Sequence, residues 1–283
     1  MPHSKATEGN CCSAQDALAD RSIGQRLHDL AVADLLAAEA QLARSGVDRH
    51  EGVHQARKCL RRTRAILALA QPGPGSRGDL LGAALARLCR GLSTLRDAQA
   101  LLDMLARFGQ EGAQIPAMLP DAIAAAKVQR DAMLARFLLR DPDLLARRQR
   151  IAGFRAQLER LDWTRSGDID VARAMARSAR RARKAGRQAR KHPRDSKAWH
   201  RFRRRLRRLN QQNTVLAEVA PGLCLRLPAL EHQAKALGEA QDCQLLLARC
   251  ARRSPFAPAL RPALRQLARQ RLQQLRHDSP GDR

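Results

Sequence analysis

Aromatic side chains are almost missing from this chain: Phe, Trp and Tyr make up 2% of its 283 residues, and Tyr does not occur. Residues that fit a pleated, half-buried surface are the β-branched and aromatic ones, and their scarcity excludes a substantial β-sheet. The hydrophobic fraction is still 44%, supplied by Ala and Leu, both strong helix formers. The expected fold class is therefore all-α, with a sizeable core. Long apolar runs are lacking too: none approaches the roughly 18 residues that a membrane span requires. The opening MPHSKATEGN has no apolar core of a signal peptide. A cytoplasmic protein without membrane insertion is expected. Ligand-like spacing is absent from the seven cysteines, Cys11, Cys12, Cys59, Cys89, Cys224, Cys243 and Cys250, which argues against a disulfide framework or a zinc site.

Acidic residues are the remaining shortage: 27 Asp and Glu stand against 53 Lys and Arg, a formal net charge of +26. Such a field is costly unless a polyanion relieves it. Only seven of the basic residues are Lys, leaving 46 Arg. Arg presents a planar fork that grips phosphate oxygens in pairs, whereas Lys is a point charge. Base-composition bias raises Arg over Lys but does not produce a nearly twofold excess of basic over acidic residues.

Residues 1–20 are polar and patternless and read as a disordered tail, with a second short tail over 277–283. Between them, amphipathic patterns divided by Pro and Gly predict eight or nine helices. The first contains residues 31–42, the second covers about 52–70, and the third about 79–108, closed by Gly109 and Gly112. Pro116 and Pro120 open a fourth that Asp141-Pro142 interrupts, and another segment ends near Arg160. In the second part, helices are expected at 168–191, at 196–219 behind a cap at Asp195 or Ser196, and at 225–251. A last one follows Pro255, Pro258 and Pro262.

Self-similarity is the most informative feature. Val53–Arg62 (VHQARKCLRR) lies over Trp199–Arg208 (WHRFRRRLRR) at an offset of 146. His54 falls on His200, Arg57 and Lys58 on Arg203 and Arg204, and Arg61 and Arg62 on Arg207 and Arg208. A second block, Leu92–Gln99, lies over Leu237–Gln244 at an offset of 145, with Asp97 on Asp242 and Arg90 on Lys235. Two blocks at nearly one offset predict an internal duplication with halves at about 21–165 and 166–276, related by a pseudo-two-fold axis.

At about 100° per residue, His54, Arg57, Lys58, Arg61 and Arg62 share one stripe, while Val53, Ala56, Cys59, Leu60 and Leu67 gather on the other side. His200, Arg203, Arg204, Arg207 and Arg208 do the same against Phe202, Leu206 and Leu209. Like charges at i, i+4 destabilise a helix by roughly 0.2–0.5 kcal/mol per pair, so the repeated stripe points to a multivalent anion that neutralises it. A solvated helix face mixes Glu with Arg, whereas Glu51 is the only acid from Arg49 to Arg64. Residues 173–208 hold 17 basic residues and one acid, Asp195. In the helix before His200, Ala172, Met175, Ala179, Ala182, Gly186 and Ala189 form a narrow packing stripe. Arg173, Arg177, Arg180, Lys184, Arg187 and Lys191 lie opposite, as plain surface or as an extension of the cationic track. His54 and His200 are candidate phosphate contacts, since an anion favours the charged imidazole; packing or surface placement is the plainer alternative. Asp97 and Asp242 are either counter-ions that orient an Arg of the stripe or ordinary inter-helix ion pairs.

The duplicated His-x-x-Arg-[Lys/Arg]-x-x-Arg-Arg pattern, followed in each half by a Leu-x-x-x-[Arg/Gln]-Asp block, resembles the CHAD domain family over about residues 21–276. The resemblance implies two four-helix bundles around a pseudo-two-fold axis, a basic central groove or pore, and binding of long-chain inorganic polyphosphate. Carried over by motif, the polyphosphate-binding residues are His54, Arg57, Lys58, Arg61, Arg62, His200, Arg203, Arg204, Arg207 and Arg208. Arg90 and Lys235 are weaker candidates, as are Arg180, Lys184 and Arg187 of the preceding helix. Gln241 stands where the first block has Arg96, which weakens Arg96 as a ligand. Many relatives carry a Glu-rich domain that hydrolyses triphosphates; no Glu-x-Glu-x-Lys occurs in this sequence, and no fused catalytic domain is expected.

Polyphosphate binding without catalysis, cofactor or metal is thus the leading expectation. Nucleic acid is the alternative partner, because phosphate contacts alone drive non-specific binding. Five Phe and two Trp barely furnish the stacking platforms of single-strand and RNA binders, so duplex backbone binding is the form that stays open. An enzyme acting on phosphoanhydrides needs metal-holding carboxylates or a phosphate-cradling Gly loop, and the stripes contain neither. A scaffold at polyphosphate or other storage granules, recruiting granule-associated proteins, shares the first reading's site chemistry and differs in cellular role.

Overall fold

The computed structural model describes residues 21–70, 75–111, 119–193, 195–227, 229–251 and 254–277. The tail expected over 1–20, and Gly112 and Pro116 as helix boundaries, lie outside these residues. Ten α-helices carry the described chain, and no strand occurs among the described residues. They are α1 (Ile23–Ala43), α2 (Arg49–Ala70), α3 (Arg77–Gly91), α4 (Ser93–Glu111), α5 (Leu119–Leu138), α6 (Leu145–Glu159), α7 (Asp168–Lys191), α8 (Ser196–Val219), α9 (Leu230–Arg249) and α10 (Arg261–His277).

The spacing of small and branched apolar residues explains these helices. On α1, Leu27, Ala31, Leu35, Ala38 and Leu42 form one fully buried face at the helical repeat. Ser22 caps its start: the Ser22 hydroxyl accepts from the Gln25 N–H at 3.3 Å, and the Gln25 side chain accepts from the Ser22 N–H at 3.1 Å. On α7 the expected packing stripe is in place, with Met175, Ala182, Gly186 and Ala189 buried. A Cβ on Gly52 of α2 would stand 2.2 Å from the Gln41 carbonyl oxygen of α1, so only glycine permits that approach.

Two breaks depart from local periodicity. The single helix expected over 79–108 is two, α3 and α4, parted at Leu92 (φ −94°, ψ 3°), and α4 runs on through Gly109. Arg57 of α2 reaches into this break, donating to the Cys89 carbonyl and, at 3.2 Å, to the Ser93 hydroxyl. The interruption at Asp141-Pro142 occurs as expected, with Asp143 and Leu144 in the left-handed region (φ 51° and 55°). Leu144 is buried there, and Asp141 accepts from the Ala146 N–H at 2.9 Å and pairs with Arg147. α9 begins at Leu230 rather than Leu225, whose N–H is held by the Asn213 side chain at 2.8 Å.

Hairpins combine across the two halves. α1 and α2 pack with α7 and α8 around one core that includes Leu27, Leu60, Leu206 and Leu216, with α3 and α6 laid against it. α4 and α5 pack with α9 and α10 around a second core of Leu101, Leu105, Cys243, Leu246 and Leu264. Each four-helix bundle thus takes one hairpin from each half, so the halves read from the repeat are not the bundles. Equivalent helices meet: α2 lies on α8 and α4 on α9. α2 also touches α4, and α8 touches α9, which sets both cationic stripes at the junction between the bundles.

Candidate anion-binding site

The site is assembled from four helices. Ala56 and Leu60 on α2, and Leu206 and Leu209 on α8, are buried in the first core, leaving the stripes toward α4 and α9. Arg96 enters from α4, donating to Asp97 at 3.1 Å and to Asp242 of α9 at 3.4 Å. Arg107 stands 3.8 Å from Asp242. Gln241 holds the position equivalent to Arg96, and its side-chain oxygen lies 3.2 Å from His200 Nδ1. One arginine therefore serves both Asp blocks. Arg96, discounted because its counterpart is Gln, sits at the centre: it acts on His54, Arg57, Arg61, Arg203 and Arg207.

Repulsion among the stripe arginines follows the duplication. Arg61 is repelled most by its equivalent, Arg207, and the repulsion between Arg203 and Arg61 is repeated in that between Arg57 and Arg207. Burial pushes the Arg61 guanidinium down to about 10, with Arg207, Arg57 and Arg96 adding to the effect. Burial takes Arg207 down to about 9 and Arg203 to about 10, helped by neighbouring arginines and opposed by Asp242. All remain protonated at neutral pH, so the shifts express the cost of holding these charges together out of water. Burial likewise raises the Asp242 carboxyl above its ordinary value, against Arg96, Arg203 and Arg107. His54 is held below its usual value, first by burial; Arg61, Lys58 and Arg96 add to this and Glu51 opposes it. The Nε groups of Arg57, Arg61 and Arg203 are buried without a hydrogen-bond partner among the described residues. Buried donors are normally satisfied; Arg26, Arg62, Arg148 and Arg155 carry the same orphaned Nε, so the feature is shared with arginines outside this cluster.

The other expected residues divide. Lys58, His200 and Arg204 are exposed at the edge. Arg62 pairs with Glu218 and, at 3.5 Å, with Asp34. Arg208 is pushed down to about 10 by burial, with Arg64, Arg205, Arg181 and Arg204 adding repulsion. Arg90 lines a cleft of about 910 Å³ between α3 and α7. Lys235, Arg180, Lys184 and Arg187 are exposed and do not line that cleft. Arg64 went unnoticed because its counterpart is Asn210 and the repeat does not mark it. Its signal is position alone, since it continues Arg57 and Arg61 along the same helix face.

Among the described residues, no His, Cys, Asp or Glu side chains are grouped to hold a metal ion, and no helix is long and apolar enough to cross a membrane. Both Trp indoles donate to backbone carbonyls, Trp163 to Leu158 and Trp199 to Pro193, each at 3.1 Å.

No curated protein gives a match to this chain. A solved structure, the CHAD domain from the plant Ricinus communis, is similar at 20% identity and a TM-score of 0.59, covering 93% of this chain and 89% of that one; the likeness is one of fold. The family model of the CHAD domain matches residues 26–249, which takes in both His/Arg stripes and both Asp blocks. The chain therefore belongs to the CHAD domain family, and its all-α architecture is the CHAD fold.

Proposed function

We propose that this protein binds inorganic polyphosphate at the arginine cluster between its bundles, which we call the compartment, and does not turn it over. The observation that carries the reading is the convergence of Arg57, Arg61, Arg203 and Arg207 around Arg96, largely desolvated, with only Asp97 and Asp242 as counter-charges. Charges buried with so little neutralisation destabilise the free protein unless a ligand completes the set. Arg forks suit bidentate phosphate contacts, and His54 and His200 add donors at either end. Lys58 and Arg204, exposed at the rim, draw the anion in. Arg62 enters this reading as a structural cation, held by Asp34 and Glu218.

Two features favour polyphosphate over nucleic acid. The cation set repeats about the α2–α8 contact, so it offers the same contacts to a chain running either way. Linear polyphosphate reads alike from both ends, whereas a nucleic-acid strand does not. The arginines are also mostly buried, so a rigid duplex meets only the rim. The carboxylates support binding without turnover: Asp97 and Asp242 are both engaged by Arg96, whereas phosphoryl transfer uses carboxylates that hold a metal. The CHAD family is in general one of binding domains.

Titration with long-chain polyphosphate and with duplex DNA of matched charge, at several salt concentrations, tests the reading. Polyphosphate is expected to bind more tightly and to resist salt better. Combined R57A, R61A, R203A and R207A should weaken it at least ~100-fold, since charge-assisted hydrogen bonds contribute roughly 1.5–3 kcal/mol each. Equal affinities with parallel salt dependence, untouched by the substitutions, overturn it.

A further inference from the structure

Beside the compartment lies a second concentration of arginine. The cleft of about 910 Å³ is walled by α3 and α7 and floored by α2 and α8, and eight arginines line it against two aspartates, Asp79 and Asp170. Both acids are already engaged. Asp170 pairs with Arg173 at 3.8 Å, and Asp79 accepts from the Gly75 N–H at 3.3 Å. Arg87, Arg177, Arg181 and Arg208, by contrast, have no acidic partner within salt-bridge distance among the described residues. The rest of the lining is largely small: Ala68, Ala83, Ala86 and Ala174 stand between the arginines, and no aromatic side chain takes part. Such walls recognise phosphate oxygens and offer nothing for a nucleobase to stack on. The volume lies near the upper end of small-ligand sites, which suits a run of phosphates rather than one.

The cleft borders the compartment along α2 and α8, which contribute residues to both. Arg57, Arg61 and Arg64 descend one face of α2; Arg61 is repelled by Arg207 inside the compartment, and Arg64 lines the cleft. On α8, Arg208 follows Arg207 and is repelled by Arg64, Arg205, Arg181 and Arg204, so like charge extends along both helices from one region to the other. On the opposite side, where the duplication would place a matching outlet, Asp34 and Glu218 bind Arg62.

We propose that the cleft between α3 and α7 is a second phosphate-binding segment that continues the compartment on one side only. A chain long enough to occupy both is then held far more tightly than a short one. This rests on the compartment being the polyphosphate site.

The test compares tripolyphosphate with long-chain polyphosphate on wild type, on the cleft variant R87Q/R177Q/R181Q and on the compartment variant R61Q/R207Q. The cleft variant is expected to lose at least ~10-fold in long-chain affinity with a shallower salt dependence, while tripolyphosphate binding changes less than ~2-fold. The compartment variant is expected to lose both. Removing like charges from exposed Arg87 and Arg181 and half-buried Arg177 should leave the melting temperature unchanged or raised, and R177Q alone should weaken long-chain binding in the same direction with a smaller amplitude. Wild-type long-chain affinity in both cleft variants at every salt concentration overturns the proposal while leaving the compartment reading intact. Unchanged binding of both ligands by R61Q/R207Q overturns the compartment reading, and the continuous track with it.

Discussion

Arg62 and Arg208 hold the same place in the repeat, 146 residues apart, and meet opposite surroundings. Arg62 is bound by Asp34 of α1 and Glu218 of α8. Arg208 is surrounded by Arg64, Arg205, Arg181 and Arg204. The helices behind them differ in the same sense. α1 carries one arginine against Asp29, Asp34 and Glu39, whereas α7, its counterpart beside α8, carries nine basic residues and two acids. The apolar faces of both helices follow the spacing that packing requires, while the remaining positions, including buried Asp34 on α1, have diverged in charge. Duplication thus fixes where a helix goes, and the surface decides what each copy does: on one side stability, on the other an open cationic track.

Breaking the Arg62 side should give the largest effect. At pH 8, where Asp34 is ionised, R62A leaves the buried Asp34 carboxylate without its counter-ion and is expected to lower stability by roughly 1–3 kcal/mol in urea unfolding, discounted for the partial exposure of the pair. R208A deprives no acid of a partner and should raise stability slightly while weakening long-chain polyphosphate. A large affinity loss in R62A without destabilisation would erase the contrast. Next comes pH. Burial, with repulsion from Glu218 and against the pull of Arg62, raises the Asp34 carboxyl to about 7 from 3.8. The native state then holds this proton where the unfolded chain has lost it, so stability falls as pH rises from about 4 to about 7. Between pH 5 and 8 the wild type should lose roughly 2 kcal/mol that D34N does not, measured by urea unfolding at both pH values.

His54 gives the smallest effect. Burial first holds its imidazole below the ordinary value, and a bound polyanion favours the charged form. Polyphosphate affinity should therefore rise as pH falls from 8 to 6, by less than ~10-fold, and H54Q should abolish the gain. Over the same range the free protein loses stability from this residue, because the unfolded chain takes the proton more readily.

Local chemistry was legible in the sequence. Scarcity of strand formers predicts an all-α chain, and the helices at 168–191 and 196–219 run as expected, the second behind Asp195, whose side chain accepts from the Lys197 N–H at 2.8 Å. What comes from a distance was not legible. The break at Leu92 meets Arg57, reaching over from another helix. The pairing of hairpins across the halves leaves no mark in either half. Arg96 was weakened as a ligand by Gln241 because one cation at the meeting of α4 and α9 serves both aspartates, which a residue-by-residue repeat cannot express. Arg62 and Arg208 looked alike because the acids that separate them, Asp34 and Glu218, lie outside the motif.

The central claim is that the compartment keeps its arginines together against stability, for a ligand. Unfolding and polyphosphate titration of R61M/R207M test it most directly, since replacing buried charges by apolar side chains of similar size is often neutral or stabilising by roughly 1–4 kcal/mol. The account predicts a free protein at least as stable as wild type that no longer binds polyphosphate. A variant that is less stable and binds as before would contradict it.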